Sequence, residues 1–204
     1  MLYRIVYKSV AALLSLSIIP IAFFSPMIRI VGDVAFLDAY IGEAMSLYDI
    51  YVLFFAKGST FEGFGDLTMS DAVKETLPAL ITSGSFLVAA ILLAVITAVV
   101  AIFGRGKKGV LIMSIVTVLS IIAMFISFNA FAQPFVDGTI KVSDLGFIES
   151  GILNWLVGAV INVKVLQITS AGFLMIGCAC AVLLWTLAFI LIEIGDEPSK
   201  KKVK

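Results

Sequence analysis

The sequence predicts an all-α membrane protein: a four-helix transmembrane bundle, both termini inside, with an extracellular cap of short helices into which a small β-sheet could enter. Three observations carry this. The chain has 204 residues, 61% hydrophobic and 14% charged, against about 45–50% and about 25% in an ordinary soluble domain. A soluble fold of this size has too little interior for the surplus. The charges also cluster, leaving uncharged runs at 9–28, 76–104, 109–136 and 165–192, the shortest of them 20 residues long. About 20 helical residues cross a hydrocarbon core of about 30 Å, where backbone groups have no water to bond. Finally, the basic residues are unevenly placed. Arg4 and Lys8, the turn with Arg105, Lys107 and Lys108, and the tail with Lys200, Lys201, Lys202 and Lys204 hold nine bases against Glu193, Asp196 and Glu197. Retention of positive charge on the cytoplasmic side places these segments inside, and 29–75 and 137–164 outside.

Taken in order, the first helix starts near Val10, carries Pro20 and ends around Pro26, with a kink expected because proline removes a backbone donor. No A-x-A-like cleavage site follows its apolar stretch, so it reads as a retained span rather than a signal peptide. In the first outer segment, Ile28, Ile30, Val34, Phe36, Tyr40 and Ile41 alternate loosely around Gly32 and Gly42, a pattern compatible with short strands. Ser46 followed by Asp49 reads as a helix cap and Gly58 as a stop, giving a short helix over 47–57. That helix has almost no polar face. Ile50, Tyr51, Phe54 and Phe55, with Trp155 from the second outer segment, are candidate partner-binding residues; the alternative is a lid packed over the spanning helices.

Ser70 and Asp71 cap a helix that runs through Pro78 into the second span. Ala90, Ala94 and Ala98 in that span, and Ser120, Ala123, Ser127 and Ala130 in the third, form small-residue faces suited to close helix approach. Asn129 and Gln133 share a face near the end of the third span. In the second outer segment "GTIKVSD" reads as a strand, and "SGILNWLVGAVINVK", too short to span, as a second surface helix. The transmembrane domain covers 1–195, and the basic tail 196–204 is expected to lack fixed structure.

The chemistry such a chain can perform is restricted. "GRGKKG" at 104–109 matches the letters of a dinucleotide-binding fingerprint, but that motif needs a preceding strand and a soluble helix. Here it joins two spans. Arg105, Lys107 and Lys108 are instead candidate contacts for acidic lipid headgroups. There is no histidine, and the two cysteines, Cys178 and Cys180, sit two apart on a helix, so their side chains diverge. The four long runs hold no Asp, Glu, Lys or Arg, whereas pumps and coupled transporters place such residues at membrane depth. No catalytic, cofactor or metal-binding set is predicted, and nucleic acid is not an expected partner.

The layout resembles the claudin-like tetraspan membrane proteins: termini inside, a first outer segment of nearly fifty residues, a short basic inner turn and a smaller second outer segment. The family's first-loop signature is absent, since 29–75 contain neither Trp nor Cys. The resemblance therefore implies topology, with no barrier function and no site residues carried over. The functional expectation is a non-catalytic interaction or scaffold protein of a bacterial plasma membrane, acting through its extracellular segments. The alternative is an accessory subunit of a transporter, channel or secretion complex, touching its partner along helices two and three.

Overall fold

A computed structural model describes residues 2–34, 39–49, 70–104, 106–141, 144 and 161–200. The protein is mostly helical. Its elements are α1 (Leu2–Leu16), α2 (Ile18–Phe24), β1 (Ile28–Val34), β2 (Ala39–Met45), α3 (Asp71–Phe103), α4 (Lys107–Val136), β3 (Ile161–Ile168) and α5 (Ser170–Lys200). Four helical stretches, Tyr3–Phe24, Asp71–Phe103, Lys107–Val136 and Ser170–Glu193, are long and apolar enough to cross a membrane. Each helix extends past one end of the uncharged run that announces it, because charge limits a span in lipid without limiting a helix. Thus α1 begins at Leu2 rather than near Val10, and α5 continues to Lys200 rather than ending at 192.

The expected kink in the first span falls at Ser17, between α1 and α2. Pro20 has no N–H to offer the Leu16 carbonyl four residues back, and the helix parts there. Ser17 compensates locally: its hydroxyl donates to the Leu14 carbonyl at 2.7 Å and lies 3.3 Å from the Cys178 sulfur.

The chain divides into two compact units. The first comprises Met1–Ile21, Phe86–Ile122 and Phe173–Lys204, and so holds part of all four spanning helices. Its interior mixes small and hydroxyl-bearing side chains with Ile18, Ile121, Met175 and Val182. Ala11, Ala101, Val110 and Val182 form one cluster, with Leu14, Val100 and Trp185 packed against it. Ala90, Ala94 and Ala98 of α3 are all buried, as the four-residue spacing requires. On α4 the buried row differs from the expected one. Val110, Ser114, Thr117, Ile121 and Met124 are buried along with the expected Ser120, whereas Ala123 and Ser127 are half-buried and Ala130 exposed. Three of the hydroxyls inside bond carbonyls of their own helices: Thr97 donates to Leu93 at 2.7 Å, Ser114 to Val110 at 2.9 Å and Thr117 to Met113 at 2.8 Å. Such back-bonding lets polar residues lie in an apolar bundle with no partner helix supplying an acceptor.

The second unit comprises Ala22–Ser85 and Ala123–Gly172. Its centre is a three-stranded antiparallel sheet in the order β2-β1-β3. The β1–β2 register runs from Ile28 opposite Met45 to Val34 opposite Ala39, so the loose alternation does make strands. β3 corrects two expectations. The surface helix drawn to Lys164 and the fourth span drawn from 165 give way to one strand over Ile161–Ile168, in which Asn162, Lys164 and Gln167 are exposed and Val163, Val165 and Ile168 half-buried. Among the described residues "GTIKVSD" is not a strand. The chain instead turns at Gly138, whose φ of 75° suits glycine, and the N–H groups of Asp137, Gly138 and Ile140 return to the carbonyls of Gln133, Phe135 and Pro134. This folds Ile140 into a core with Val73 and Phe135.

Caps finish the elements of this unit. Ser46 N–H and hydroxyl donate to one Asp49 carboxylate oxygen at 2.8 and 2.7 Å, and Asp49 N–H donates to the Ser46 hydroxyl oxygen at 3.1 Å. This reciprocal box opens the helix at 47, of which 47–49 are described. Its bonds from Ser46 hold the Asp49 carboxyl below the ordinary carboxylate range. Ser70 accepts from Val73 N–H at 3.4 Å at the start of α3. Thr169 accepts from Ala171 N–H at 3.2 Å at the start of α5, while its hydroxyl donates to the Pro26 carbonyl.

Candidate functional site

Two places combine open volume with polar side chains, one in each unit. In the second unit the site follows from a fault in strand pairing. Val31 of β1 faces Val165 of β3, but the next residue, Gly32, faces Val163. Lys164 is therefore the extra residue of a β-bulge, a device that bends a strand and re-aims a side chain. Lys164 lines two clefts at once. One, of about 160 Å³, is bounded by Phe135, Asp137, Gly138, Lys141 and Asn162. The other, of about 250 Å³, is bounded by Asn129, Gln133, Val136 and Gln167. Asn129 and Gln133, expected to share a face of the third span, do so on the wall of the second cleft. Four amides and two lysines around one carboxylate can hydrogen-bond and attract anions. They supply no nucleophile with a base.

In the first unit a smaller cleft of about 100 Å³ is lined by Arg4, Tyr7, Lys8, Gly104, Gly106, Lys107 and Glu193, among others. Lys107 forms its floor. The Lys107 ammonium lies 2.6 Å from a Glu193 carboxylate oxygen and donates to the Phe189 carbonyl at 3.0 Å, with its side chain only 15% exposed. It also sits 5.4 Å from the ring centres of both Tyr7 and Phe189, so its charge is neutralised and partly desolvated against aromatic faces. Tyr7 in turn shares a hydrogen bond with Thr186 at 3.4 Å. Lys8 donates to the Ile102 carbonyl at 2.5 Å and closes the end of α3, where cations suit the helix dipole.

Of the residues singled out in the sequence for lipid contact, Lys107 is half-buried and committed to an ion pair, Lys108 is exposed, and Arg105 lies outside the described residues. Ile50, Tyr51, Phe54, Phe55 and Trp155 lie outside them too. The cleft brings in Arg4 and Lys8, which sequence reasoning counts only as orientation charges. Their spacing of four on one helix is the signal that could find them. Among the described residues no group of three or more acidic, cysteine or histidine side chains could hold a metal ion.

No protein-family model, curated protein or solved structure matches the chain. The class is set by the fold alone: a mostly helical protein with four helices able to cross a membrane and a small antiparallel sheet.

Proposed function

We propose that the chain is a non-catalytic integral membrane protein that acts by contact, as an interaction or scaffold protein. In this reading the sheet-bearing unit faces outward, both termini are cytoplasmic, and the membrane is a bacterial plasma membrane. The likeness to claudin-like tetraspans remains one of layout. The observation that supports contact is the sheet itself. Two segments far apart in sequence, 28–45 and 161–168, are paired into one antiparallel sheet, and its terminal strand is bulged so that Lys164 lines two open clefts. Bare connections between spans need no such construction.

The accessory-subunit alternative would use the membrane-facing sides of α3 and α4. Because the alanine row of α3 is buried, that contact would fall on the exposed branched faces, such as Leu92, Ile96 and Val99, or Ile112 and Leu119. A photo-crosslinking amino acid placed at Gln167 and, separately, at Leu92 distinguishes the two. Contact through the sheet predicts a discrete protein adduct from Gln167 that Lys164→Glu abolishes. An adduct from Leu92 alone would support the accessory reading, and none from either position would sink both.

A further inference from the structure

We infer that the cleft at the Gly104–Lys107 turn binds the phosphate of an anionic glycerophospholipid headgroup, held by Arg4, Lys8 and the first turn of α4. This does not depend on the contact reading above and requires only that the helices lie in a bilayer.

The electrostatics come first. Three cations, Arg4, Lys8 and Lys107, share the cleft with one acid, Glu193, and Glu193 is taken by Lys107. Among the described residues, Arg4 and Lys8 have no counterion. Arg4 is exposed with no hydrogen-bond or ion-pair partner among the described residues, and Lys8 uses one of its three donors on a carbonyl.

The backbone points the same way. α4 opens on two lysines with no acid in its first turn, although the positive end of a helix dipole disfavours cations and favours anions. Among the described residues no side chain caps that turn, so its leading N–H groups are open to an external acceptor. At Gly106 the backbone is uncovered: an added Cβ would meet no atom within 4 Å. An oxyanion placed here would accept from the N–H groups and offset the charge of Lys108, since that of Lys107 is already met by Glu193.

Size and surroundings select the source of that oxyanion. About 100 Å³ is roughly three water volumes, enough for one phosphate. The neighbours of the lining residues in sequence, Tyr3, Ile5, Ile102 and Phe103, are exposed and apolar. They give acyl chains a surface beside the charge, which a soluble phosphate would not use.

The test uses the full chain in nanodiscs of dioleoylphosphatidylcholine, with dioleoylphosphatidylglycerol titrated in and retained lipid counted by native mass spectrometry. Phosphatidylglycerol should be retained preferentially. Arg4→Gln should weaken that retention about fivefold, and Lys8→Gln by a similar factor, as expected for one cation at a charged surface. Arg29→Gln, which removes an exposed base of β1 in the other unit, should leave it unchanged. Arg4 has no hydrogen-bond or ion-pair partner among the described residues, so Arg4→Gln should leave the melting temperature unchanged, which separates binding from folding. Equal retention of both lipids, or equal effects of Arg4→Gln and Arg29→Gln, would overturn the proposal. Displacement of the lipid by low-millimolar inorganic phosphate would overturn the lipid assignment and leave a soluble anion in its place.

Discussion

The two units differ more in what they expose than in what they bury. The first buries Ala90, Ala94, Ala98, Thr97, Ser114 and Thr117 beside Ile18, Ile121 and Val182, while Leu92, Ile96, Val99, Ile112 and Leu119 point outward. The second buries Val73, Phe135 and Ile140 beside a sheet whose exposed positions include Arg29, Asn162, Lys164 and Gln167. In water such exposed branched faces would be costly. In lipid they are at no disadvantage, because acyl chains are as apolar as leucine and helix association depends on close packing and internal hydrogen bonds. The exposed helix faces of the first unit fit an apolar surround, and the exposed strand positions of the second fit water.

The strongest challenge to this contrast is volume added at the centre of the first unit. Ala94 is 1% exposed and shares the lining of a tight space with Ser15, Thr97, Ser114, Thr117 and Ala179. Ala94→Leu should destabilise the protein by about 1–3 kcal/mol or more. Leu92→Ala, at a position 57% exposed two residues away, should change little. Unfolding in mixed micelles, read by intrinsic fluorescence, separates the two. A larger loss from Leu92→Ala would mean that the outward face is packed against protein.

A single substitution made in both units sharpens the comparison. Ser46 is buried in the second unit and engaged in a reciprocal cap, so Ser46→Ala should cost about 1 kcal/mol. Ser15 is buried in the first unit, and its hydroxyl has no hydrogen-bond partner among the described residues. Ser15→Ala should be neutral or stabilising, because it removes a desolvated polar group that gains nothing in return. The same measurement serves both, and a destabilised Ser15→Ala would show that its hydroxyl is satisfied.

The smallest effect is one of pH. The Asp49 carboxyl is held below its ordinary value of 3.8 by its bonds from Ser46. A carboxyl whose folded value is depressed stabilises the fold above its unfolded value and loses that contribution as acid protonates the folded form. Stability should therefore fall as pH drops through and below 3.8, and Asp49→Asn should flatten that part of the profile. An unchanged slope would place the acid sensitivity elsewhere.

The spans are legible in the sequence because absence of charge over 20 residues is what a bilayer demands, whatever packs inside. Which face is buried is less legible. On α3 the alanine row stands out from larger neighbours, but on α4 small residues occur on several sides, and Ser127 and Ala130 suggest a face that Ile121 and Met124 take instead. β3 is hidden because its first residues end an uncharged run that reads as a helix while its last ones begin another apolar run. Pairing with β1, more than a hundred residues away, decides the matter. The same distance hides the basic cleft, since Arg4 and Lys8 meet Lys107 only after the helices associate.

The proposed topology, with 29–75 and 137–164 outside and the turn at 104–109 inside, is tested directly by cysteine labelling. In a Cys178→Ala/Cys180→Ala background, Thr139→Cys and Gly106→Cys introduce single thiols at exposed positions. A membrane-impermeant maleimide applied to intact cells should label Thr139→Cys and should reach Gly106→Cys only after permeabilisation. Labelling of Gly106→Cys in intact cells, with Thr139→Cys protected, would invert the orientation, and equal labelling of both without permeabilisation would contradict a spanning arrangement altogether.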